Sequence, residues 1–182
     1  MISKVLKTYN KSIRASSVYD ISVVTPLTRA NSLSKSSKNN IFLKREDLQP
    51  IFSFKNRGAY NKLSKLKKKG SSSSVVAASA GNHAQGVAYS AKQLGLKSII
   101  VMPITTPLIK INAVKNFGGK VILFGDNFDE AYEHAIMLAK KEDYSFIPPY
   151  DDKDVIAGQG TIGKEILEQA DFKIDAVFVP VG

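Results

Sequence analysis

Lys55 sits in the run Ser53-Phe54-Lys55-Asn56-Arg57-Gly58-Ala59, beside an aromatic residue, just after a loop and at the start of a predicted helix. This arrangement suits a desolvated amine that condenses with a carbonyl. Burial disfavours the ammonium and lowers its pKa toward the range where lysine serves as nucleophile or base. The alternative is a solvated lysine on a helix's first turn. A second run, Ser79-Ala80-Gly81-Asn82-His83-Ala84-Gln85-Gly86, lies between a predicted strand and a predicted helix. Free backbone N–H groups at a helix start bind anions, and Gly81 lets a ligand approach the backbone, so a carboxylate fits there. A plain helix cap by Ser79 or Asn82 fits equally well.

The elements that must position these two runs follow from periodicity. Short apolar strands are expected at 75–78, 98–102, 121–124 and 144–147, separated by helices over 82–94, 108–117 and 128–142. Gly95 and Gly118-Gly119 close the first two of these helices, and Pro148-Pro149 ends the pattern. Apolar strands alternating with helices give βαβ units and a parallel sheet covered on both faces, with ligands gathering at the carboxyl ends of the strands. The loop after the strand at 75–78 is therefore the place to look for a site. Before this lobe, a docking helix carrying Val5, Leu6, Tyr9 and Ile13 is expected, then a Ser-, Lys- and Asn-rich loop over 31–40, a strand running into a loop over 41–47 and a helix over 55–69. After it come a helix over 158–170 and a strand over 175–180.

Composition narrows the function classes. The 182 residues carry 43% apolar and 23% charged side chains, which fits one globular domain or two small lobes. With no cysteine there is neither a disulfide nor a thiolate metal site, and His83 and His134 are too far apart for a zinc-protease spacing. The net charge of +10 raises nucleic acid as a partner. Lys62, Lys65, Lys67, Lys68 and Lys69, however, crowd one predicted helix end, where cations complement the helix dipole and a solvated surface is expected. No apolar run approaches the ~20 residues needed to span a bilayer. The acid-free basic N-terminus also has the look of an organellar transit peptide, the alternative to a docking helix and a cytoplasmic location.

Taken together, the two runs resemble the pyridoxal-phosphate enzymes of fold type II, the tryptophan synthase β-like group. Within them the chain resembles the biosynthetic threonine dehydratases. The likeness is carried in order by Lys44-Arg45-Glu46-Asp47, Gln49-Pro50, Ser53-Phe54-Lys55, Arg57-Gly58-Ala59-Tyr60, the loop 79–86, Val101-Met102-Pro103, Phe117-Gly118-Gly119, Asn127-Phe128-Asp129-Glu130-Ala131, Ile156-Ala157-Gly158-Gln159-Gly160-Thr161 and Val179-Pro180-Val181-Gly182. The resemblance implies that Lys55 holds pyridoxal 5'-phosphate covalently, Phe54 lies on the ring face and Asn82 bonds the phenolic oxygen. Ser79, Gly81, Asn82 and His83 would take the substrate carboxylate, and His134 would be plain surface.

The implied reaction is β-elimination of L-threonine to 2-oxobutanoate and ammonia, the first step of isoleucine biosynthesis, with L-serine as a second substrate and a homotetramer as the assembly. Ala80 stands where serine-racemising relatives carry a second serine, and it has no proton to give. Gly182 would be the first of the glycines that cradle the cofactor phosphate. The expected organisation is thus residues 1–73 from a large lobe, 74–150 as a complete small lobe, and 151–182 as a return to a large lobe that is truncated there. A non-catalytic remnant, a related serine/threonine dehydratase and a basic nucleic-acid-binding protein are the competing readings.

Overall fold

The computed structural model describes residues 2–71 and 73–180. At its centre is a four-stranded parallel sheet of β3 (Ser74–Ala78), β4 (Lys97–Met102), β5 (Lys120–Leu123) and β6 (Ser145–Phe146), in the order β5-β4-β3-β6. The crossovers are α4 (Asn82–Leu94), α5 (Leu108–Asn116) and α6 (Phe128–Lys141). Alternation along the strands divides the core in two. Val75, Ala77, Ile100 and Met102 face α4 and α5, packing with Ala84, Val87, Ala88 and Ala91, whereas Val76, Ala78, Ile99 and Val101 meet Ala131 and Ala135 of α6. Every residue of β3 is buried, as befits a strand covered on both faces. Gly95 closes α4 in a left-handed conformation at φ +67.

Around the sheet lie α1 (Ile2–Arg14), an antiparallel ribbon of β1 (Leu27–Arg29) and β2 (Phe42–Lys44), α3 (Lys55–Lys68) and α7 (Lys153–Gln169). Helix α3 is sandwiched between α4 and α7. Ala59 and Leu63 of α3 belong to the same apolar cluster as β3 and α4, so the packing is continuous across the expected lobe boundary at 73/74. Helix α1 docks on α7 with Ile13 lying directly over Gly160, but Val5 and Leu6 of the expected apolar face stay exposed.

Four expectations are corrected. The polar stretch after residue 30 is not a loop throughout but forms α2 (Asn31–Ser37), a short helix closed by Lys38 in a left-handed conformation at φ 56. Helix α7 begins at Lys153 rather than near 158, because Asp152 accepts from the backbone N–H groups of Asp154 and Val155 and caps it earlier. The lysine cluster divides: Lys67, Lys68 and Lys69 are exposed as expected, but Lys62 Nζ lies 2.6 Å from Asp152 and Lys65 Nζ 2.7 Å from Asp154. The expected strand over 175–180 is irregular and open to solvent, with Phe178 93% exposed. Among the described residues no strand lies beside it to share a ladder, and apolar character alone does not hold an extended segment. Val181 and Gly182 lie outside the described residues.

Candidate active site

In this sheet the chain runs outward from β3 to β4 to β5 and then returns to place β6 on the opposite side of β3. The strand order therefore reverses at the boundary between β3 and β6. Loops leaving the carboxyl ends of two such strands diverge and open a crevice, the usual ligand site of open parallel sheets. Here the diverging segments are Ser79-Ala80-Gly81, leading into α4, and Ile147-Pro148-Pro149, leading toward α7. Both runs singled out by their chemistry meet at this point. Lys55, on the first turn of α3, donates from Nζ to the Pro149 carbonyl at 3.3 Å, and His83, on the first turn of α4, contacts the Ile147 carbonyl through Nε2 at 3.0 Å.

The amine of Lys55 is half-buried, and burial lowers its pKa from the ordinary lysine value. Its nitrogen lies 5.1 Å from the centroid of the Phe54 ring, so an aromatic face flanks the reactive atom. The start of α4 is open: Gly81 is extended, no side chain caps the helix, and a Cβ built on Gly81 would meet nothing within 4 Å. Ser79 is turned inward instead, its Oγ accepting from the Gly81 N–H at 3.1 Å. The uncapped N–H groups of the first turn and the exposed side chain of Asn82 thus face space that a ligand can enter. His83 is different: its side chain is only 4% exposed, and burial, together with the nearby Lys55 charge, pushes its pKa down to about 4 against the pull of the Ile147 carbonyl. It is a neutral imidazole directed at the Ile147 carbonyl. Gly182, the remaining expected cofactor contact, lies outside the described residues. His134 is not bare surface, since its ring stacks on Phe124 at 3.9 Å.

Two devices fix the helix that carries Lys55. One is close backbone approach. A Cβ on Gly86 would stand 2.9 Å from the Lys55 carbonyl oxygen, and one on Gly158 would stand 2.6 Å from the Arg57 carbonyl oxygen. Helices α4 and α7 therefore grip the first turn of α3 from two sides at points where only glycine fits. The other is a buried charge cluster. Arg57, fully buried, makes a two-point contact with Glu46 at 2.8 and 2.9 Å and another with Glu165 at 2.6 and 3.0 Å. Lys44 adds an ion pair to Glu165 at 2.6 Å, and Thr161 accepts from Arg57 at 3.0 Å. Burial pushes the Glu165 carboxyl upward, but the hydrogen bonds from Arg57 and Lys44 outweigh it and hold the group below the usual carboxylate range. Two cations against two anions leave this cluster balanced, the condition for burying charge at all. Gln49 and Asn56 extend it: the Gln49 amide donates to the Val23 carbonyl at 2.8 Å and its Oε1 accepts from Asn56 at 3.3 Å.

Lys44, Glu46, Gln49 and Arg57 stand in the runs quoted from the sequence, but their task of holding α3 was not legible there. Glu165 was overlooked altogether. Its signal was the spacing Gly158, Thr161, Glu165, one inward stripe of α7 on which a carboxylate needs a buried cation. The Ile147 and Pro149 carbonyls, being backbone, have no sequence signal.

The residues present fit pyridoxal phosphate on the geometry alone. A half-buried lysine amine, its pKa lowered by burial, and an adjacent aromatic ring lie near an uncapped helix start with open space beyond it. Similar proteins agree. The chain matches, over residues 19–182, a family described as pyridoxal-phosphate dependent enzyme. It is 54% identical over 174 residues to a chloroplastic biosynthetic threonine dehydratase of Arabidopsis thaliana, covering 96% of this chain and 29% of that protein. It is 55% identical to a biosynthetic L-threonine dehydratase of Pasteurella multocida, covering 96% of this chain and 34% of that one. The processed form of threonine deaminase isoform 2 from Solanum lycopersicum superimposes with a TM-score of 0.88 at 50% identity, over 93% of this chain and 47% of that chain. The chain thus spans about a third of the length of these curated relatives. With its fold, its lysine and its uncapped helix at the strand-order reversal, the chain belongs to the pyridoxal-phosphate dependent enzymes.

Proposed function

We propose that this chain forms the lysine-bearing part of a threonine dehydratase, which eliminates water from L-threonine and releases 2-oxobutanoate and ammonia. The observation that carries the reading is the convergence of Lys55 and the open start of α4 at one crevice. Bound pyridoxal phosphate supplies a carbonyl for the amine and an electron sink for the carbanion formed at the substrate α-carbon.

The chain's own residues do the rest. The lowered pKa of Lys55 makes its amine available both to attach the cofactor and to take the α-proton. Phe54, beside the Lys55 amine, would flank the cofactor ring, and Asn82 would offer its amide to one of the ring's oxygens. The N–H groups at the start of α4, with Ser79 and Gly81, receive the α-carboxylate and so orient the C–H bond toward Lys55. Ala80 carries no hydroxyl with which to return a proton to the opposite face, which favours elimination over racemisation. L-Serine would be a second substrate, because a pocket for one extra methyl discriminates by only ~1–3 kcal/mol.

The test is to incubate the chain with pyridoxal phosphate, reduce with borohydride and map the modified peptide. The expected result is a single adduct at Lys55 that Lys55→Ala abolishes. Label spread over the surface lysines, with Lys55 unmarked, would overturn cofactor capture. Assay of 2-oxobutanoate release from threonine then decides turnover.

A further inference from the structure

The segment between β6 and α7 is held in an unusual way. Ile147 uses both backbone groups: its N–H donates to the Val76 carbonyl of β3 at 2.9 Å, and its carbonyl faces His83 Nε2 at 3.0 Å. A carbonyl oxygen only accepts, so Nε2 carries the hydrogen, and the buried, neutral imidazole is fixed in that tautomer. Pro148 and Pro149 follow, two residues with ring-restricted φ and no N–H to bond elsewhere. The direction of the Pro149 carbonyl is thereby coupled to the anchor two residues before it. That carbonyl is what the Lys55 amine meets, at 3.3 Å. Among the described residues no carboxylate pairs with Lys55, and burial is the cause of its lowered pKa. A neutral acceptor suits a working amine better than a carboxylate would, because it fixes the nitrogen in place while favouring the ammonium far less.

We propose that His83 is a positioning residue: by donating to the Ile147 carbonyl it aims the Pro149 carbonyl, which receives the Lys55 ε-amine whenever that amine carries no cofactor. This rests on the reading of Lys55 as the cofactor lysine, but it concerns the free amine and is tested without cofactor.

The experiment is trace acetylation of the 182-residue chain with acetic anhydride, quantified by mass spectrometry at Lys55 relative to the exposed Lys173. His83→Gln keeps an amide N–H near the position of Nε2, His83→Asn places its N–H short of the carbonyl, and His83→Leu has none. With the acceptor displaced, the amine is freer and less held as ammonium, so labelling of Lys55 should rise about threefold in the Leu and Asn variants and stay at the wild-type level in Gln. Unchanged Lys55 labelling in a folded Leu or Asn variant, or a Gln variant that behaves like Leu, overturns the assignment. If the Leu and Asn variants do not fold, Pro149→Gly decides: a comparable rise supports the docking carbonyl, and wild-type labelling refutes it. Failure of cofactor capture would leave these ratios untouched, so the two readings fail separately.

Discussion

Alanine at two glycines of the same helix should move stability in opposite directions. A Cβ at position 158 would lie 2.6 Å from the Arg57 carbonyl oxygen and 2.7 Å from the Gly58 Cα, both backbone atoms that have no rotamer to yield. Helices α3 and α7 would have to part, at an overpacking cost of about 1–3 kcal/mol, offset in part by the ~0.5–1 kcal/mol that alanine gains over glycine inside a helix. At position 163, a Cβ would meet nothing within 4 Å, so only the gain remains. The helix preference cancels between the two variants, and Gly158→Ala should fall below Gly163→Ala by about 1–3 kcal/mol. For a chain of this length that is a separation in Tm of about 2–12 °C. Urea unfolding followed by circular dichroism, with equal m values, measures the difference directly. A Gly158→Ala variant as stable as Gly163→Ala would refute the idea that backbone contact sets the spacing of these helices around Lys55.

Acid should weaken the fold through His83. Its pKa falls from 6.5 to about 4 on folding, so the unfolded imidazole takes up a proton that the native one refuses, and stability drops as pH falls through that window. The loss amounts to about 3 kcal/mol below the window and should vanish in His83→Gln, as denaturant titrations at pH 7 and 4 would show. Glu165→Gln leaves Lys44 and Arg57 with one anion fewer and should cost about 3–5 kcal/mol at pH 7. Because the folded Glu165 pKa is depressed, its contribution is full above the ordinary carboxylate value and is lost as pH falls through the folded one, so the variant should lose less on acidification. Lys55→Met should raise stability at neutral pH, since a buried ammonium disfavours the native state until pH climbs past the lowered folded pKa toward 10.5. A Met variant less stable than wild type at pH 7 would count against a desolvated amine.

The sheet was legible because its strands are buried on both faces and read as unbroken apolar runs, with glycines marking the helix ends between them. The two reactive loops were legible because function demands particular residue types there. Helix α2 was not, since Asn31-Ser32-Leu33-Ser34-Lys35-Ser36-Ser37 has few strong helix formers. The segment over 175–180 was misjudged for the opposite reason: Val177, Phe178 and Val179 have strand-forming side chains, but a strand also needs a neighbour's backbone, which no residue type encodes. Of the site, the sequence placed Lys55 and the start of α4 but not their supports, which are carbonyl oxygens and ion pairs between residues far apart in the chain.

That distance bears on how the chain is made. Arg57 and Glu165 are 108 residues apart, and until Glu165 arrives Arg57 and Lys44 have only Glu46 to offset them. During synthesis, the N-terminal residues and the sheet leave the ribosome before α7 exists. The first turn of α3 therefore stays hydrated while β3 to β6 are laid down, and it dries only when α7 closes over it. The ion pairs around the first turn of α3 thus form in two stages, Arg57 with Glu46 from neighbouring sequence and then both cations with Glu165 once α7 packs against the helix.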